Sequence, residues 1–262
     1  MQKLRLRYAK RGRLRFTSHR DVARTFERAL RRAGVPMAYS QGFSPRPKVS
    51  WTGAVPTGVA SVAEYVELQL ARRVDPAVLR AELDAALPDG IDVLDAVPAA
   101  PGALADELRV SKWRIDLPGT DVAELRQAVA ALMAAESVEV EKMTKDGRRT
   151  IDARAALVDA EVLDGRESVA QRDGSPSGTA RVDDWPEATG PYGILVTVVR
   201  QTTPVVRPDD VLSALRVVAG LAPSAAASAT RLEQGRLDDG GGIADPLAQD
   251  SGGDRSPAGE PG

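Results

Sequence analysis

A chain of 262 residues, 43% hydrophobic and 27% charged, has the composition of a soluble globular protein with room for one large domain or two small ones. It has no cysteine, which excludes disulfides, a thiolate nucleophile and a cysteine-ligated cluster. With no apolar run near the roughly 20 residues of a membrane span, and no apolar stretch behind the basic start MQKLRLRYAK, a cytoplasmic protein without a signal peptide or membrane contact is expected. The net charge of −2 hides an asymmetry: residues 1–50 hold 14 Lys/Arg against 2 Asp/Glu, so a local +12 is attached to a remainder of −14. A coding bias toward arginine would scatter the cations rather than deplete acids in one stretch, and a basic half implies an anionic partner, most often nucleic acid.

In chain order, KLRLRY (3–8) alternates strictly, with Leu4, Leu6 and Tyr8 on one face and Lys3, Arg5 and Arg7 on the other, the pattern of a half-buried strand. RLRF (13–16) repeats the alternation after the turn-like AKRG, which predicts a hairpin with an arginine-lined outer face. A helix follows over about 19–33. Ser18 caps it, Asp21 stands at capping-box spacing, Val22, Phe26, Ala29, Leu30 and Ala33 form the buried stripe, and Gly34 then Pro36 stop it. Arg20, Arg24, Arg28 and Arg31 run along its exposed side, with Asp21 placed to pair with Arg24 and Glu27 with Arg31.

Residues 48–55 and 64–70 read as strands, Asp75–Pro76 opens a helix carrying Val78, Leu79, Leu83 and Leu87, and PDG turns into the strand IDVLDAV. Strand, helix, strand, strand, helix, strand is the split βαβ plan. The pattern recurs. VSKWRIDL (110–117) is a strand, and a helix with Leu125, Val129, Leu132 and Met133 follows. SVEVEKM and RRTIDARA flank a turn, YGILVTVV (192–199) is a buried strand, a helix runs from 207 to about 220, and ATRLEQGRL (229–237) closes the sheet. The fold class expected is therefore α+β, two ferredoxin-like domains in tandem: 1–103 and 104–237. The polar stretch 164–190 is expected to be a disordered insertion in the second domain, and 238–262, rich in Gly, Pro, Asp and Ser, a disordered tail.

No P-loop, dinucleotide-binding glycine motif, zinc-protease helix or nucleophile elbow is present. His19 is the only histidine; alone it builds no metal site, and neither a metal nor a cofactor is expected. As an imidazole it suits proton transfer, which makes His19 with Asp21 the catalytic alternative to the simpler role of helix-start and capping residues. The segment AYSQGFSPRPKVSW (38–51) is richer in chemistry than a connector needs. Gly42 permits unusual backbone, and Pro45 and Pro47 stiffen the chain. Arg46, Lys48 and Gln41 project from it, and Tyr39 and Phe43 offer faces for stacking a base. Trp51, alternating with Val49, belongs to the core. The candidate RNA-binding set is Arg5, Arg7, Arg13, Arg15, Arg24, Arg28, Tyr39, Gln41, Phe43, Arg46 and Lys48.

Arg15–Asp21, Arg28–Gly34 and Tyr39–Lys48 carry a resemblance. RLRFTSHRD, RALRRAG and YSQGFSPRPK resemble the radical-SAM-linked protein family, a domain of unknown function fused to or encoded beside B12-binding-type radical SAM proteins. The likeness is dense over 3–70 and weaker to about 220, and it departs at Arg20, where the family has an apolar residue. It implies a partner rather than an activity: lacking cluster cysteines, this chain would be the accessory half of a radical SAM system. The expectation is an accessory protein that binds RNA or another polyanion and works with a radical SAM enzyme. The alternatives are an RNA-processing or RNA-modifying enzyme using His19, similar in plan to the metal-independent endonucleases of CRISPR processing, and a pure protein-interaction module.

Overall fold

The computed structural model describes residues 1–144, 147–165 and 190–248. The chain is mixed α/β, its strands paired mostly antiparallel, and it divides into two compact units. Unit 1 comprises Met1–Gly58, Val62–Leu108 and the described chain from Gly235, and unit 2 comprises Val59–Ser61 and Arg109–Gln234.

In unit 1, β1 (Gln2–Lys10) lies between β4 (Ile91–Pro98) and β3 (Ala60–Leu70), and β2 (Val49–Thr52) pairs antiparallel with β3. The β1–β4 pair is antiparallel from Leu4 opposite Pro98 to Lys10 opposite Ile91. The period-2 pattern of β1 sends Leu4, Leu6 and Tyr8 into a core closed by Val22, Phe26, Ala29 and Leu30 of α1 (His19–Arg32). Leu79 and Leu83 of α2 (Pro76–Ala86) complete it with Val66, Leu68 and Leu70 of β3. Asp75 starts α2 by accepting from the N–H of Ala77 at 2.7 Å, with Pro76 already holding a helical φ.

Two expectations change here. RLRF is no strand: Gly12–Phe16 forms a 3₁₀ turn. Both sides of β1 are already occupied by β3 and β4, so there is no edge for a hairpin partner. Gly12 at φ 55° turns the chain, and Arg11 N–H donates to Gly90 O at 2.7 Å. Residues 238–248, expected as part of the disordered tail, are instead built into unit 1. Asp238 Oδ1 accepts from the N–H groups of Gly240 and Gly242, β11 (Ile243–Ala244) pairs with the end of β10 (Ser228–Leu237), and Leu247 is buried beside Ala63, Tyr65, Leu104 and Leu108. Composition undercounted one leucine that finds an apolar slot under α3 (Leu104–Glu107). Residues 249–262 lie outside the described residues, as do 166–189 of the expected insertion.

In unit 2 the strand order is β10, β5 (Val110–Pro118), β9 (Tyr192–Arg200), β8 (Leu157–Asp164), with β5–β9 and β8–β9 antiparallel. Helix α4 (Val122–Ala134) packs on α6 (Pro208–Ala219), and Leu125, Leu132, Val211 and Leu215 are buried with Ile115 and Ile194. The hairpin β6 (Glu139–Thr144) and β7 (Gly147–Asp152) leads into the short α5 (Ala153–Ala156), which Asp152 caps. Lys142 of β6 ion-pairs with Asp210 of α6. Strand β8 was not among the expected strands, although Val158, Ala160 and Val162 alternate with the exposed Asp159 and Glu161.

Candidate functional site

Helix α1 presents two opposite faces. Ser18 Oγ accepts the N–H of Asp21 at 3.2 Å and donates to its carboxylate at 2.6 Å, so the cap and Asp21 are committed to each other. From that start the apolar stripe turns inward, and Arg20, Arg24, Glu27 and Arg31, spaced three or four residues apart, share one outward face. Gly34 at φ 63° ends the helix, with Val35 N–H donating back to Leu30 O at 3.0 Å.

The chain then doubles back as a pinned arm. Ala38 N–H donates to Gln69 O and Lys48 N–H to Ala38 O, each at 2.8 Å, Tyr39 bridges Pro47, and Ser40 N–H donates to Arg46 O at 2.8 Å. Ser40 Oγ accepts the Arg46 N–H at 3.0 Å. These bonds hold the base of the arm and leave Gln41–Pro45 exposed at its tip, where Gly42 sits at φ 128°. Phe43 has its whole side chain in solvent, and Tyr39 is 48% exposed.

Between α1 and the arm lies a groove of about 670 Å³. Leu30, Val35 and Met37 line its apolar floor, Tyr39, Pro45 and Pro47 one wall, and Arg20, Arg24, Arg31 and Arg46 its rim, with Glu27 among them. Arg24 has an exposed ion pair with Asp21 at 3.5 Å, a contact worth little. Among the described residues the side chains of Arg20, Arg31 and Arg46 have no ion pair or hydrogen bond, and the i,i+4 pair expected between Glu27 and Arg31 is not formed.

The candidate residues separate. Tyr39, Arg24 and Arg46 line the groove; Gln41, Phe43 and Lys48 are exposed on the same arm. Arg13 is exposed on the 3₁₀ turn, and Arg15 stacks over Phe16 at 4.8 Å. Arg28 bonds Thr25 Oγ1 at 3.0 Å and lines a separate hollow of about 240 Å³. Arg5 and Arg7 do not form an exposed cationic face. The segment after β4 folds over that side of β1, so Arg5 is 2% exposed, donating to Ala100 O, to Gly102 O at 2.6 Å and to Glu67 at 3.3 Å. Arg7 donates to Asp95 at 2.7 Å. Burial works against the charge of Arg7, but the adjacent Asp95 carboxylate outweighs it and raises the pKa above its ordinary value.

The His19 and Trp51 rings meet in a T-shaped contact with centroids 5.4 Å apart, and Trp51 makes the same kind of contact with Phe26 and Tyr8. The ring therefore rims an aromatic cluster rather than joining Asp21 in a proton relay. Arg20, Glu27 and Arg31 are groove residues the candidate set omitted. Their spacing of four, three and seven residues from Arg24 was the available signal; what hid them was the arm, which closes over that face only in three dimensions. Among the described residues no group of three or more His, Asp or Glu is placed to hold a metal, and no helix is long and apolar enough to cross a membrane.

Residues 3–208 match a protein family described as an uncharacterized protein conserved in bacteria (DUF2344). No curated protein matches the chain.

Proposed function

We propose, from the premise that this chain belongs to the DUF2344 family of bacterial proteins, that it is a cytoplasmic RNA-binding accessory protein whose binding site is the groove between α1 and the Tyr39–Lys48 arm. One observation carries the reading. Three arginines with no internal partner, and a fourth only weakly paired, surround an apolar floor beside an exposed tyrosine. Keeping four like charges together with one acid, Glu27, that pairs with none of them costs folding energy, so such a rim is the footprint of an anion supplied from outside. An apolar floor and a tyrosine face suit unstacked bases, while the guanidinium rim suits phosphates.

The partner in this reading is a radical SAM enzyme. It is supported by the resemblance of RLRFTSHRD and YSQGFSPRPK to the radical-SAM-linked proteins and by the absence of any cysteine to hold a cluster in this chain. The fold in this reading is two ferredoxin-like modules. The orders β4-β1-β3-β2 and β10-β5-β9-β8 support it. Each is fourth-first-third-second in a βαββαβ unit, with the β6–β7 hairpin an insertion in the second.

The test is titration of a single-stranded RNA at several salt concentrations. Log affinity should fall with log salt at about 0.7 per phosphate contacted. Arg20→Ala, Arg31→Ala and Arg46→Ala combined should flatten the slope. A flat wild-type slope rules the proposal out. Copurification from native cells should recover a radical SAM protein; recovery of that protein without salt-sensitive RNA binding would favour a pure protein-interaction module.

A further inference from the structure

Glu27 is out of place in an anion site. It stands between Arg24 and Arg31 on the same face of α1, lines the groove, and is exposed. Among the described residues its carboxylate takes neither an ion pair nor a hydrogen bond, although an arginine stands one helical turn away. Were the groove built for phosphates alone, this carboxylate would repel them at close range. An ionised carboxylate is an acceptor only, with two oxygens in a fork that matches two parallel N–H donors. Something in the ligand should therefore be a donor while its neighbours are anions.

We infer that Glu27 reads a base, and that the base is guanine. The inference rests on the RNA reading above and names what that site would select. Guanine alone carries two adjacent donors, N1–H and the N2 amine, on its Watson–Crick edge. Adenine and cytosine set a ring acceptor beside their amine, which would face the second carboxylate oxygen. Uracil offers one donor between two acceptors. A single-stranded segment can splay such a base out of its stack and have it read on that edge. With the guanine ring against Tyr39 and the apolar floor, its edge would meet Glu27 while the flanking phosphates meet Arg20, Arg31 and Arg46. An acidic peptide fits less well, since its carboxylates would match the arginines but leave Glu27 opposed.

The experiment uses the full chain and eight-nucleotide uracil oligomers carrying one central guanine, inosine or adenine. Inosine removes only the N2 amine. Wild type should bind the guanine oligomer about tenfold more tightly than the inosine or adenine one, as a bidentate pair is worth that much discrimination. Glu27→Gln, whose amide offers one donor and one acceptor, should lose the guanine preference and favour adenine. Glu27→Ala should level the three and bind the uracil-only oligomer more tightly, with an unchanged thermal melt as the control for folding. Equal wild-type affinities, or a guanine preference that survives both substitutions, would overturn the assignment while leaving RNA binding intact. Absence of salt-dependent binding to every oligomer would overturn the RNA reading itself. Tight binding of a glutamate-rich peptide indifferent to Glu27→Ala would overturn both in favour of a protein partner.

Discussion

Strand β1 and helix α1 both carry arginines at regular spacing within the first 32 residues, yet the two sets do different work. On β1, Arg5 and Arg7 sit on the sheet face that the chain after β4 covers, and each has a carboxylate opposite: Glu67 on β3 and Asp95 on β4. On α1, Arg20 and Arg31 face a groove whose one carboxylate, Glu27, pairs with neither of them, and Arg46 of the arm joins them. Residue type and local spacing do not separate the sets. Partners far away in sequence do, for Arg5 and Glu67 are 62 residues apart. A cation whose charge is balanced inside the fold serves stability, whereas one left unbalanced at a concave surface is available to a ligand.

Four variants, one of them double, test that division and the fold around it. The largest effect is expected from Arg5→Ala, which takes a buried guanidinium away from two carbonyl oxygens and leaves Glu67 only its ion pair with the exposed Lys3. Loss of one partner of a buried pair costs about 3–5 kcal/mol. Urea unfolding should show a drop of that order; a loss below about 1 kcal/mol would put Arg5 back among the surface cations. Next comes Leu247→Ala, about 2–3 kcal/mol by cavity formation, because Leu247 is 3% exposed against Tyr65 and Leu108. A neutral result would mean that residues 238–248 contribute nothing to unit 1.

His19→Asn should cost about 1 kcal/mol, the edge-to-face contact with Trp51, and should change RNA affinity by no more than a few-fold. Turnover of RNA by the wild type alone, lost in this variant, would make His19 an acid–base residue and reverse the preferred function. Smallest in stability is Arg20→Ala with Arg31→Ala, which should leave the urea midpoint unchanged or slightly raised, because two like charges are relieved and no bond is broken. A clear destabilisation would show that these side chains are structural, and the contrast with β1 would collapse.

Much of this was written in local patterns. The alternation of Leu4, Leu6 and Tyr8 fixed which face of β1 meets α1 and α2, Ser18 and Gly34 marked the ends of α1, and Asp75–Pro76 opened α2, because each depends on neighbours within a few residues. RLRF misled for the opposite reason: its alternation suits a strand, but a strand needs a free edge, and β3 and β4 had taken both. The arm at Tyr39–Lys48 was legible as a shaped element from Gly42, Pro45 and Pro47. That it closes over Arg20, Glu27 and Arg31 was not.

By itself, then, the amino-acid order determined most of the elements, the core-facing residues of β1 and α1, the surplus of positive charge in the first fifty residues and the stiff aromatic arm. Only the tertiary structure decided which cations are spent inside the fold, where Leu247 goes, and which residues line the groove. The physical reason is range. Periodicity, capping and turn chemistry act over one or two turns of chain, whereas charge compensation and concavity depend on segments brought together across tens of residues, such as Arg5 with Gly102 and Arg31 with Arg46.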